Sequence, residues 1–117
     1  MADEIGSRLD QLMEQERRYR DSGLSLPALA EAVGVTPHQL SEYLNQRRGL
    51  GFARFLNRYR VADAQDMLLK QPSRPVLEIA LEAGFNAKST FNSAFAEQVG
   101  MTPSAWRRSQ KSQTSRS

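Results

Sequence analysis

Four side chains, His38, Ser41, Glu42 and Asn45, recur at spacings of three and four residues. A helix would carry them along one side. Their groups suit the edges of base pairs: an amide pairs with adenine, a carboxylate accepts from cytosine N4, and imidazole or hydroxyl donates or accepts. About fifty residues later Ser89, Asn92 and Ser93 repeat the spacing of the first three, with Lys88 just before them in the first turn. Near both sets lie groups suited to phosphate. Arg47, Arg48, Arg54, Arg107 and Arg108 supply cations, and helix starts at Thr36 and Asn86 supply backbone amides. Composition excludes much else. The 117 residues contain no cysteine and one histidine, which removes thiolate chemistry and multi-histidine metal sites. No nucleophile–base pair, phosphate-cradling glycine loop or metal-ligand cluster stands at a meaningful spacing, so neither catalysis nor a cofactor is expected.

Such side chains act together only if rigid elements present them. Two segments share one grammar, Leu24 to Gly49 and Pro75 to Gly100. Leu29-Ala30 aligns with Ile79-Ala80, Gly34 with Gly84, and Val35 with Phe85. After a turn longer by one residue, Leu40 aligns with Phe91, Leu44 with Phe95 and Gly49 with Gly100. This is an internal repeat with the features of a helix-turn-helix. In the first copy a helix from about Pro27 to Val33 ends at Gly34, which can take the left-handed conformation of a sharp turn. Thr36-Pro37 then provides a cap followed by proline at the first helical position. Leu29, Val33, Val35, Leu40 and Tyr43 are the expected core of this copy. Ile79, Ala83, Phe85, Phe91 and Ala94 are that of the second, with Asn86 as the expected cap. Ala30 and Ala80 are small enough for the paired helices to cross closely.

Around the copies the chain organises as follows. Residues 1–23 form an amphipathic helix with Ile5, Leu9, Leu12, Met13 and Tyr19 inward, interrupted by Glu16 and stopped at Asp21-Ser22-Gly23. Residues 24–50 are the first helix-turn-helix. Residues 51–74 hold a linker helix from Phe52 to about Lys70, with Phe52, Phe55, Leu56, Tyr59, Ala62, Met67 and Leu68 as its contact residues, and a loop. Residues 75–108 are the second helix-turn-helix with a closing helix capped at Thr102 and carrying Trp106. The Ser/Gln/Lys/Arg-rich residues 109–117 form a disordered basic tail. The fold class is all-α, with about seven helices. Nineteen linker residues span roughly 28 Å, close to the 34 Å or so of one duplex turn.

Charge is uneven: residues 1–23 carry net −2 and residues 24–117 net +5. A polyanion-binding face would therefore belong to the second part. The acidic first segment and modest total of +3 also allow an alternative, a helical protein-interaction adaptor without DNA affinity. An acidic start (MADEIGSRLD) and no apolar run near 20 residues point to a cytoplasmic protein without membrane contact.

Residues of about 24–108 resemble the DNA-binding domain of the AraC/XylS family of bacterial transcription regulators. The resemblance rests on Leu26 to Leu44, on FLNRYRVADAQDMLL, and on GFNAKSTFNSAFAEQVGMTPSAWRR. In the last, Gly84-Phe85 is followed by Phe91 and Phe95, then Gly100-x-Thr102-Pro103 and Trp106-Arg107. The family implies two helix-turn-helix subdomains joined by a linker helix, each sending a recognition helix into the major groove of promoter DNA. It implies RNA polymerase as a further partner, and a location at the bacterial nucleoid. His38, Ser41, Glu42 and Asn45 match positions that read bases in the family. Glu42 is awkward beside phosphates: it accepts from cytosine, orients Arg47 or His38, or penalises wrong sequences. Where Ser89 and Ser93 stand, many relatives carry arginine or glutamine. The shorter hydroxyls shift the second module towards phosphate binding and shape readout. Arg60 matches a family arginine that makes a structural ion pair. The segment is expected to be monomeric, either a C-terminal module of a longer, sometimes membrane-anchored and dimeric, regulator or a stand-alone one.

Overall fold

A computed structural model describes residues 2–114, and among these there are seven α-helices and no strand. The helices are α1 (Ala2–Asp10), α2 (Leu26–Val33), α3 (Pro37–Tyr43), α4 (Phe52–Lys70), α5 (Val76–Ala83), α6 (Lys88–Val99) and α7 (Pro103–Thr114). The chain divides into two compact units, Met1–Tyr59 and Arg60–Ser117, with the division inside α4. No helix among the described residues is long and apolar enough to cross a membrane.

The first unit closes around Leu9, Leu12, Met13, Tyr19, Leu29, Ala30, Leu40, Leu44, Phe55 and Leu56. The amphipathic N-terminal stripe thus packs against the first helix-turn-helix, as its periodicity requires. The helix is shorter than the stripe predicts. After Asp10 it loosens into a π-type turn over Gln11–Gln15, and Arg17 then takes a left-handed conformation (φ 51°). Tyr19 reaches the core from a 3₁₀ turn, Arg18–Arg20. Glu16, the residue that breaks the apolar stripe, marks the place: it pairs with Arg18 at 3.0 Å and with Arg8 at 3.7 Å. Arg8 also donates to the Ala32 carbonyl at 3.2 Å, fastening α1 to the end of α2. Tyr59 stacks on Tyr19 and meets Phe55 edge-on, with centroids 5.8 and 5.4 Å apart.

The second unit closes around Val61, Ala64, Met67, Leu68, Ile79, Ala80, Ala83, Phe85, Phe91, Ala94 and Phe95. Edge-to-face rings run Phe85–Phe91–Phe95–Trp106 at 5.1, 5.6 and 5.9 Å, a geometry that adds to area burial. Two expectations about this part need correction. Ala62 is exposed, while Val61 and Ala64 are buried. The two ends of α4 serve different cores, so no single apolar stripe runs its length and one helical phase cannot be extended from Phe55 to Leu68. The expected disordered tail is helical as far as Thr114, because α7 continues through Ser109. Residues 115–117 of that tail lie outside the described residues.

Candidate nucleic-acid interface

The two repeat copies fold alike at the backbone. Gly34 and Gly84 end α2 and α5 with φ of 95° and 114°, which a side chain would strain. In both, the next residue's N–H returns to the carbonyl of the small residue: Val35 to Ala30 and Phe85 to Ala80, each at 3.0 Å. That closure aims the following helix, and its buried residues fix the helix's rotation. In α3 these are Leu40 and, one turn on, Leu44, both fully buried. His38, Glu42 and Asn45 are consequently exposed and Ser41 is half-buried. In α6 they are Phe91, Ala94 and Phe95, leaving Lys88, Ser89 and Ser93 exposed and Asn92 half-buried. All eight side chains expected on the outer faces therefore retain accessible surface.

The helix starts differ. At α3 the Thr36 hydroxyl accepts from the Gln39 N–H at 3.1 Å, and Gln39 Oε1 accepts from the Thr36 N–H at 2.9 Å. This reciprocal box satisfies two amides internally, and Pro37 has none to offer a phosphate. At α6 the expected cap, Asn86, is displaced. The longer turn puts Ala87 at the cap, where no side-chain oxygen serves the first amides. The α6 start is thus the more open of the two for an anion.

The cations differ in exposure. Arg47, Arg54 and Arg108 are exposed. Arg48 is turned to the protein: its Nη2 donates to Asp10 Oδ1 at 3.1 Å and its guanidinium lies 5.9 Å from the Tyr43 ring centroid. Hydrogen bonding to Tyr43, opposed by burial and helped by Asp10, raises its pKa. Beside it, burial pushes the Tyr59 phenol up, with Asp10 and Glu14 adding to the rise and Arg48 opposing it. Arg107, expected on phosphate, donates instead to three carbonyls, those of Arg74 (2.9 Å), Gln71 (3.0 Å) and Leu68 (3.4 Å). It closes the end of α4, where carbonyls lack intrahelical partners. Arg60 is half-buried on α4.

Glu42 faces two neighbours on its own helix. Its Oε2 lies 3.6 Å from His38 Nε2, and its Oε1 accepts from Gln46 Nε2 at 3.4 Å. Of the roles open to it from the sequence, the structure shows the approach to His38.

Sequence reading missed the Thr36–Gln39 box, Arg74 and the π-type turn Leu44–Arg48 that continues α3. The box was detectable, since Thr and Gln three residues apart before an apolar residue signal it. Arg74 binds Glu82 at 2.9 Å and Glu78 at 3.7 Å from a loop. The spacings of four and eight residues are helical, but Arg74 stands before α5 begins, so the helix pattern does not reveal the bridge.

Residues 29–109 match a family model described as a helix-turn-helix domain. The HTH-type transcriptional activator RhaR of Escherichia coli O1:K1 is 31% identical over 100 residues, covering 85% of this chain and 35% of RhaR. A transcriptional regulator of Chromobacterium violaceum, described as having an AraC-type DNA-binding domain, has 25% identity and a TM-score of 0.72, covering 92% of this chain and 96% of that one. The DNA-binding domain of AdpA, solved with a target DNA, superposes with a TM-score of 0.80 at 19% identity, covering 93% and 94%, and so shares the fold. The chain spans about a third of the length of the curated relatives it matches.

Proposed function

Because this chain belongs to the AraC/XylS family of transcription regulators, we propose that it binds double-stranded promoter DNA in a sequence-specific way, through α3 and α6 placed in successive major-groove segments. The observation that carries this reading is the duplication itself. Twice in one small chain a glycine-closed turn delivers a helix whose apolar side is buried and whose other side presents polar groups. The fold shared with the DNA-binding domain of AdpA, which was solved with a target DNA, supports it.

In this reading His38, Ser41 and Asn45 touch base edges from α3, with Glu42 beside them. Lys88, Ser89, Asn92 and Ser93 act from α6, chiefly by phosphate and shape, since serine forms no bidentate base pair. The uncapped amides at the α6 start, with Arg47, Arg54 and Arg108, hold the phosphates, while Arg48 and Arg107 brace the modules. The chain acts as a regulator without a reaction of its own, at the bacterial nucleoid in the cytoplasm. It works as a monomer at this length, with RNA polymerase as the partner at the promoter. A site recovered from a randomised duplex library and footprinted should show two adjacent protected major-groove segments without a compulsory palindrome. Protection of one segment alone overturns the two-module mechanism.

A further inference from the structure

Helix α3 does not end as an ordinary α-helix. From Leu44 to Arg48 it continues as a π-type turn, closed by the N–H groups of Gly49 and Leu50 on the Leu44 carbonyl. A π turn takes more residues per revolution than the 3.6 of an α-helix. Gln46 therefore falls back more nearly into line with Glu42 and His38 than regular winding would allow. The contacts agree with this: Glu42 Oε1 accepts a hydrogen bond from Gln46 Nε2 at 3.4 Å, and Glu42 Oε2 lies 3.6 Å from His38 Nε2, an ion-pair approach. All three side chains are exposed, so the ladder lies on the accessible face of the recognition helix.

We infer that Gln46 is a base-reading residue for adenine and that Glu42 is the residue that positions it. The inference rests on the DNA-binding reading above. A glutamine amide has two N–H donors and one carbonyl acceptor. Reading adenine bidentately uses one donor, to N7, and the carbonyl, from N6–H. The remaining N–H is the one that Glu42 can take. With Glu42 in place, all three polar functions of the amide are satisfied at once and its carbonyl is turned away from the carboxylate, towards the groove. The repulsion that makes a carboxylate awkward near phosphate is offset, because the charge is engaged along the helix and not pointed at the duplex.

The test is selection from a randomised duplex library with the full chain and three variants, Gln46→Ala, Glu42→Ala and Glu42→Gln. Gln46→Ala should lower the preference for adenine at one position by ~10-fold while the other positions keep theirs. Glu42→Ala should weaken preference at that same position, and Glu42→Gln, whose carbonyl still accepts, should restore it. A merely structural role for Glu42 would lower affinity for every sequence equally and would not be position-specific. An unchanged profile for Gln46→Ala, with tight and salt-sensitive binding intact, overturns this inference alone. Failure of the unaltered chain to select any sequence overturns the DNA reading beneath it as well.

Discussion

Arg107 decides between two uses of one residue type, and the geometry gives it to the protein. A guanidinium that donates to the carbonyls of Leu68, Gln71 and Arg74 through three nitrogens is a planar fork filling a planar need. Arg107→Ala should destabilise the second unit by about 2 kcal/mol in urea unfolding, since it removes three charge-assisted bonds to carbonyls around the end of α4. Arg107→Lys should recover only part, because one ammonium cannot span three carbonyls. In DNA binding the salt dependence of folded Arg107→Ala should match that of the unaltered chain. For Lys88→Ala the slope of log affinity on log salt should fall by ~0.9, the change for one lost phosphate contact. Equal slope losses for both would return Arg107 to the phosphate set. Nothing in the sequence separates these two arginine roles. Trp106-Arg107-Arg108 reads as a basic pair in either case, and only the carbonyls at the end of α4 distinguish the inward from the outward member.

At the scale of elements, what was legible followed from backbone rules that act over a few residues. Gly34 and Gly84 stop helices because their φ values lie where other residues are strained, and Thr36-Pro37 starts one because its cap and its first position need no tertiary help. Gly84→Ala should therefore cost about 1–2 kcal/mol in thermal or urea unfolding, as should Gly34→Ala. A cost near zero would mean that the turn relaxes to another conformation. What was not legible depends on registration between distant parts. Asn86 looks like a cap, but the one-residue insertion hands the position to Ala87. The apolar stripe of the first helix continues to Tyr19, yet the backbone turns left-handed at Arg17 and reaches Tyr19 through a 3₁₀ turn. Periodicity reports which side chains are buried, and it reports less well by what backbone path they arrive.

For the whole molecule the same distinction sets where the functional domain begins. The matched family region starts at residue 29, and charge also sets residues 1–23 apart. Packing does not respect that boundary. Leu9, Leu12, Met13 and Tyr19 supply four of the ten buried residues of the first core, and Arg8 and Asp10 reach across to Ala32 and Arg48. A chain shortened to residues 24–117 would lose those four side chains from the core and uncover part of the other six. Four large buried side chains, at roughly 1.5–3 kcal/mol each, are comparable to the whole stability of a module this size. The shortened chain should lose the cooperative unfolding of the first unit while the second, with its own ring-lined core, keeps its protected amides in hydrogen exchange. Its footprint should shrink from two major-groove segments to one, although every proposed DNA-contacting residue is still present. Two protected segments from the shortened chain would show that the first helix-turn-helix stands without its N-terminal cover, and the acidic segment would then need a purpose other than folding.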